Sequence, residues 1–267
     1  MTGRPEGTLR AAVCSEKGHP PKNEDNFFLN GGFKPLELAA QPVLAECPPA
    51  GQGVFAVCDG MGGAAFGEVA ALRAVSLLAE EAPALLRTPS EPETAEQLLA
   101  RISASIRREA DRRRAPMGAA LVLAVISGES LDIYNVGDSR AYLFWQGQLL
   151  QLSQDHTLER NMREMGLDGS RAAVRHKLTQ YLGMDEEEFV LEPYHCRTGL
   201  PVGAKLLLCS DGLTDMVPEP ALAECLGREK APGVLAEALV RMALEAGGRD
   251  NVTALVAERT EEVAVDA

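Results

Sequence analysis

The sequence has few aromatic side chains, 4% of 267 residues, so Leu, Val and Ala must fill its core. Positive charge is also scarce: 26 Lys and Arg face 39 Asp and Glu, for a net charge of −13. Such a surface repels phosphate backbones and anionic lipid, which argues against nucleic-acid and membrane partners. No apolar run approaches the ~18 residues needed to span a bilayer. The opening MTGRPEGTLR lacks the apolar stretch of a secretion signal. No two of the six cysteines are separated by only two residues, so zinc-ribbon and thioredoxin spacings are absent. Cys58 and Cys209 lie in apolar runs and read as buried small hydrophobes. We expect reduced thiols in a cytoplasmic protein, and a monomer.

Short apolar runs bounded by turn residues dominate what is present. Val54–Cys58, Leu121–Ile126, Leu131–Val136, Ala141–Trp145, Gln148–Leu152, Lys205–Ser210 and Asn251–Ala257 read as strands. Gln146-Gly147 reads as a hairpin turn. Helical periodicity marks Phe66–Ala82, Thr94–Arg114 and Pro232–Ala246, the last stopped by Gly247-Gly248. Pro35–Gly53 reads as a loop, Glu81–Glu93 as a linker, and Asp155–Leu191 as a surface excursion of short helices. Two helices together between strands, and a third before the last strand, predict an α+β layered domain. Nothing divides residues 1–267 into two domains.

Aspartates recur just past apolar strands. Val-Phe-Ala-Val-Cys runs into Asp59-Gly60-Met61-Gly62-Gly63, and Leu-Leu-Leu-Cys-Ser runs into Asp211-Gly212. Asp138 follows Ile-Tyr-Asn-Val-Gly, Asp250-Asn251 opens the last strand, and Asn23-Glu24-Asp25-Asn26 precedes Phe27. A Gly after the Asp frees the backbone to turn and exposes its carbonyl. Carboxylates converging at a sheet end repel one another unless cations join them. Hard divalent ions suit all-oxygen ligands. Asp-Gly is equally a common turn signal, so on spacing alone a metal site and a set of turns stand level.

Asn23-Glu24-Asp25, Asp59-Gly60-Met61-Gly62-Gly63, Gly137-Asp138-Ser139-Arg140-Ala141-Tyr142, Asp155-His156-Thr157, Ser210-Asp211-Gly212-Leu213 and Asp250-Asn251-Val252-Thr253 occur in this order. In that order they resemble the protein phosphatase 2C family, its bacterial branch in particular, over about residues 8–258. The resemblance implies a four-layer α-β-β-α sandwich, two antiparallel sheets flanked by helices. It implies hydrolysis of phosphoserine and phosphothreonine in proteins, opposing a Ser/Thr kinase, with two Mg²⁺ or Mn²⁺ ions. Asp59, Asp211 and Asp250 would bind one ion. Asp59, the Gly60 carbonyl and waters held by Glu24 or Asp25 would bind the second. Asp138 with Asp211 would bind a third, weaker one, and Asn251 would orient Asp250. A hydroxide bridging the metals would attack phosphorus directly.

Three departures stand out. Pro20 occupies the place of an Arg that grips phosphate in many members, leaving Lys22 or His19 as substitutes. Met61 stands where some members carry a His proposed as general acid, and Gly118-Ala119-Ala120 replaces Gly-Thr-Thr. The missing Arg motivates an alternative, a phosphatase-like module that holds phosphoproteins without turnover. A metallohydrolase of small phosphate esters is another. His156 reads as shaping its loop, and His176 and His195 as surface residues. Arg112-Arg113-Arg114 reads as favouring a helix's negative end. Leu158–Tyr181 corresponds to a flap beside the active site.

Overall fold

In the computed structural model, residues 7–62, 66–87, 91–168, 174, 176–185 and 189–261 are described. Their strands form two antiparallel sheets of six. In the first, the order is β4 (Val43–Ala50), β1 (Thr8–Glu16), β12 (Val252–Thr260), β11 (Lys205–Cys209), β8 (Arg140–Trp145) and β9 (Gln148–Gln151). In the second it is β10 (Tyr194–Gly199), β7 (Ser130–Val136), β6 (Gly118–Ser127), β5 (Gln52–Met61), β2 (Asn26–Leu29) and β3 (Gly32–Phe33).

Three apolar layers follow from the two-residue period of these strands. Phe55, Val57, Val122, Ala124, Leu206 and Leu255 point between the sheets. Val54, Ala56, Cys58, Leu121 and Leu123 point the other way, onto α1 (Gly67–Arg87) and α2 (Pro92–Arg113). Leu207, Cys209, Ala254 and Val256 pack on α5 (Glu219–Leu226) and α6 (Pro232–Glu245). Both faces of each sheet are therefore covered. That is why the central strands read as unbroken apolar runs rather than as alternation. The result is the expected four-layer α+β sandwich. No helix among the described residues is long and apolar enough to cross a membrane.

Two boundaries differ from the sequence reading. Pro35–Gly53 is not a plain loop: it holds a 3₁₀ turn at Leu36–Leu38 and all of β4. β4 is an edge strand, where Pro48 and Pro49 leave no ladder bond unmade inside the sheet. The Glu81–Glu93 linker shrinks because α1 runs through Pro83 to Arg87. Ala82 and Leu85 keep their place on its buried stripe, and that packing outweighs the proline.

His195 is not a simple surface residue either. Its ring stacks on Tyr134 at 4.4 Å, and Nε2 lies 2.8 Å from buried Asp132. At the end of α2, buried Glu109 accepts from Arg73 at 2.9 Å and from Arg112 and Arg113 at 2.5 Å each. Arg112 and Arg113 hold its carboxyl down at about 2, from an ordinary 4.5. A depressed carboxyl adds stability above its unfolded pKa, and that stability is lost as pH falls through the folded one. Glu109→Gln is expected to cost about 1–2 kcal/mol at neutral pH. Native and variant melting curves should converge between about pH 4.5 and 2.

Candidate functional site

One end of the sandwich gathers the aspartates. Asp59 and Gly60 lie within β5, paired to Ala120 and Ala119 of β6, so this Asp-Gly is strand and not turn. Asp211 follows β11 and opens α4 (Asp211–Thr214), so the second Asp-Gly starts a helix. Asp138 sits between β7 and β8, and Asp250 just before β12. Asp59, Asp138, Asp211 and Asp250 line one cavity of about 270 Å³ with Glu24, Gly60 and Asn251.

The electrostatics of this cavity are those of uncompensated negative charge. Burial, then Asp25, Asp211, Asp138 and Asp250, pushes the Asp59 carboxyl well up from its usual range. Burial and Asp211 raise Asp138 to about 8, and burial and Asp250 raise Asp211 to about 6. Each resists ionising in the presence of the others.

Asp25 stands behind the cavity wall and is fully buried. Its Oδ2 accepts from Ser210 Oγ and Thr253 Oγ1, both at 2.7 Å. Thr253 in turn contacts Ser15 at 2.7 Å, and Asn23 donates to Ser15 at 2.9 Å. Oδ1 has no protein partner. Burial raises this carboxyl to about 7. The Ser15, Asn23, Ser210 and Thr253 network escaped sequence reasoning. Its one signal was polar residues at the ends of otherwise apolar strands.

Asn251 ties three segments together. Its Oδ1 accepts from Glu24 N at 2.7 Å, and its Nδ2 donates to Lys17 O and Lys22 O. Its backbone N–H donates to Asp250 Oδ1 at 2.7 Å. Lys22, expected to grip phosphate, has its ammonium 2.5 Å from Glu68 and 3.1 Å from Glu24. Glu24 lines the cavity, so this charge sits at the cavity's edge, engaged by two carboxylates. His156 closes the loop that carries Asp138, with Nδ1 accepting Gly137 N–H at 3.1 Å. Burial lowers its pKa, favouring the neutral ring that this bond requires.

His176 is half exposed, yet it lines the cavity, and its Nδ1 is 3.6 Å from Asp215 Oδ2. His176, Asp211 and Asp215 bring one ligand atom each within 4.8 Å of one another. The flap segment falls partly on α3 (Leu158–Glu164), while residues 169–173 and 175 lie outside the described residues.

The donor set fits hard divalent cations. It is nearly all oxygen, it is backed by the unpartnered Asp25 Oδ1, and it surrounds a backbone stretch with no room for a side chain. A Cβ on Gly60 would meet Gly67 O at 2.1 Å and Glu24 O at 2.6 Å.

Comparison with known proteins gives the same picture from outside. Serine/threonine phosphatase stp of Listeria monocytogenes is 35% identical over 221 residues, 78% of this chain and 85% of that protein. The solved Stp1 of Staphylococcus aureus, a serine/threonine phosphatase, has a TM-score of 0.77 and 26% identity, covering 95% of each chain. The catalytic domain of PstP, solved with two manganese ions, has a TM-score of 0.75 and 27% identity, covering 96% of this chain and all of that one. The family profile described as Protein phosphatase 2C matches residues 44–240, and with the fold and the aspartate cavity it places this chain in the protein phosphatase 2C family.

Proposed function

We propose that this chain hydrolyses phosphoserine and phosphothreonine in proteins, as one catalytic unit that reverses a cytoplasmic serine/threonine kinase. The observation that carries this reading is the cavity where ends of strands from both sheets deliver Asp59, Asp138, Asp211 and Asp250. Asp59, Asp211, Asp250, Glu24 and the Gly60 carbonyl would hold two Mg²⁺ or Mn²⁺ ions, and Asp138 with Asp211 a third. Bound there, such ions supply Lewis acidity toward water and toward the phosphoryl oxygens.

The protein's own residues do the rest. The mutual repulsion of the carboxylates favours cation binding, since Asp59 and Asp138 resist ionising beside their acidic neighbours and a cation would offset that repulsion. Ser210 and Thr253 pin Asp25, so the wall behind the cavity cannot relax to relieve that repulsion. Asn251 fixes Glu24 and Asp250 relative to each other. Met61 offers no proton to the departing alkoxide, which leaves water or His176 at the cavity wall as the donor.

The test is phosphate release from a phosphothreonine peptide, with Mn²⁺ and with EDTA. Release stimulated at least about 10²-fold by Mn²⁺ is the expected result, about 2.7 kcal/mol of barrier. A folded protein with no metal-stimulated release would overturn the proposal. A rate on p-nitrophenyl phosphate far above the peptide rate would favour small esters as substrates instead.

A further inference from the structure

The arginine-rich end of α2 is not absorbed by the chemistry above. Residues 107–114 hold five arginines against Glu109 and Asp111, in a chain of net charge −13. Cavity walls connect this end to the carboxylates. The cavity holding Asp59 is bounded on one side by Met61 and Gly62. Those two residues also open a pocket of about 220 Å³ whose other walls are Pro116, Met117, Gly118 and Tyr181. Pro116, Met117 and Tyr181 continue into a hollow of about 460 Å³ that ends at Arg107, Asp111 and Arg114. The three spaces share walls in sequence, so they make one groove: acidic at the catalytic end, apolar in the middle, basic at the far end.

We propose that this groove seats the substrate chain beside the phosphorylated residue, and selects an apolar side chain next to it and an acidic one beyond. The proposal rests on the phosphatase reading and names its substrate class. The middle is built for an aliphatic or aromatic side chain. The Tyr181 ring lies over the start of β6, where a Cβ on Gly118 would be 2.7 Å from it. Met61 and Met117 are unbranched and adapt to varied shapes.

Arg114 is the reader of acidity. Arg107 is already paired with Asp185 at 2.8 Å and Asp111 at 3.2 Å, Arg112 and Arg113 are paired with Glu109, and Arg108 does not line the hollow. Among the described residues, no carboxylate pairs with Arg114, which is exposed at the helix end with φ 53°. A cation held out there, on an otherwise acidic molecule, attracts an acidic segment and repels a basic one.

The experiment uses the full chain with Mn²⁺ and matched phosphothreonine peptides. Each carries Leu beside the phosphothreonine, and a Glu or a Lys is walked through positions two to six on either side. Native protein is expected to prefer one Glu peptide about tenfold in kcat/KM over its Lys counterpart. Arg114→Glu is expected to erase or invert that preference, and Arg114→Gln to halve it on a logarithmic scale. Neither should change p-nitrophenyl phosphate hydrolysis by more than about twofold. Fluorescence anisotropy of the same peptides should show the same loss of affinity without turnover. No preference in the native protein, or a preference that survives Arg114→Glu, overturns the inference. Loss of p-nitrophenyl phosphate hydrolysis in the native protein would instead strike the phosphatase reading, and the anisotropy comparison would still decide the groove.

Discussion

Asp59→Asn is expected to reduce Mn²⁺-dependent phosphate release by at least about 10³-fold, about 4 kcal/mol of barrier, while raising the melting temperature of the metal-free protein. Both effects have one cause. Asp59 sits where repulsion from Asp25, Asp211, Asp138 and Asp250 converges. The amide removes the cost of burying an acid among those neighbours and, on the proposed reading, takes away the ligand that two cations would share. The amide keeps the volume of the carboxyl, so the β5–β6 pairing through Asp59 and Ala120 should persist. Each kcal/mol of relief should appear as a gain of about 2–4 °C. Added Mn²⁺ should stabilise the native protein strongly and the variant weakly. Calorimetry with and without Mn²⁺, beside the phosphate assay, checks both signs. A variant within tenfold of native activity would remove Asp59 from the metal site.

Gly60→Ala should be severely damaging at the molecule's catalytic end. The added carbon would meet two backbone oxygens, Gly67 O at 2.1 Å and Glu24 O at 2.6 Å, and neither can rotate away. Relief requires moving the start of α1 off β5 and shifting the Glu24 segment, which Asn251 holds. A loss of about 3 kcal/mol or more is expected, the range of severe overpacking. Mn²⁺ affinity should fall with it, because the Gly60 carbonyl and Glu24 shift together. Gly51→Ala is the control: nothing lies within 4 Å of its added carbon, so its stability should change by less than about 0.5 kcal/mol. Urea titration of both variants measures the contrast. Equal stabilities would mean that the tight contact between α1 and β5 is not a constraint.

Much of this architecture was legible because buried strands write themselves as apolar runs. Val54–Cys58, Leu121–Ile126 and Lys205–Ser210 announce central strands by composition alone, and Gln146-Gly147 names its own turn, with φ of 49° and 77°. The pairing of those strands into two sheets was not written locally. It came from motif order, since β1 meets β12 across most of the chain. β4 stayed hidden because its prolines mimic a loop, and an edge strand tolerates them. At the site, strand-end position left a metal site and a set of turns level; the family resemblance singled out Asp59, Asp138, Asp211 and Asp250, and these four line one cavity. The fate of Lys22 was not, since its partner Glu68 arrives on a helix forty-six residues later. The hydroxyls on Asp25 were equally hidden, as Ser210 and Thr253 become neighbours only when β11 and β12 have paired.

The place of β12 carries a consequence for the birth of the protein. It lies in the interior of its sheet, between β1 and β11, yet it emerges from the ribosome after every other strand described. Until it arrives, β1 and β11 each present an open edge to the cell, the kind of surface that invites mispairing between nascent chains. Asp250 arrives with it. The second sheet and its two helices can assemble before β12 has been made, but the cavity lacks the wall that Asp250 supplies until that strand inserts. The nascent chain therefore passes through a half-built sandwich whose acidic cavity is closed by the insertion of one strand.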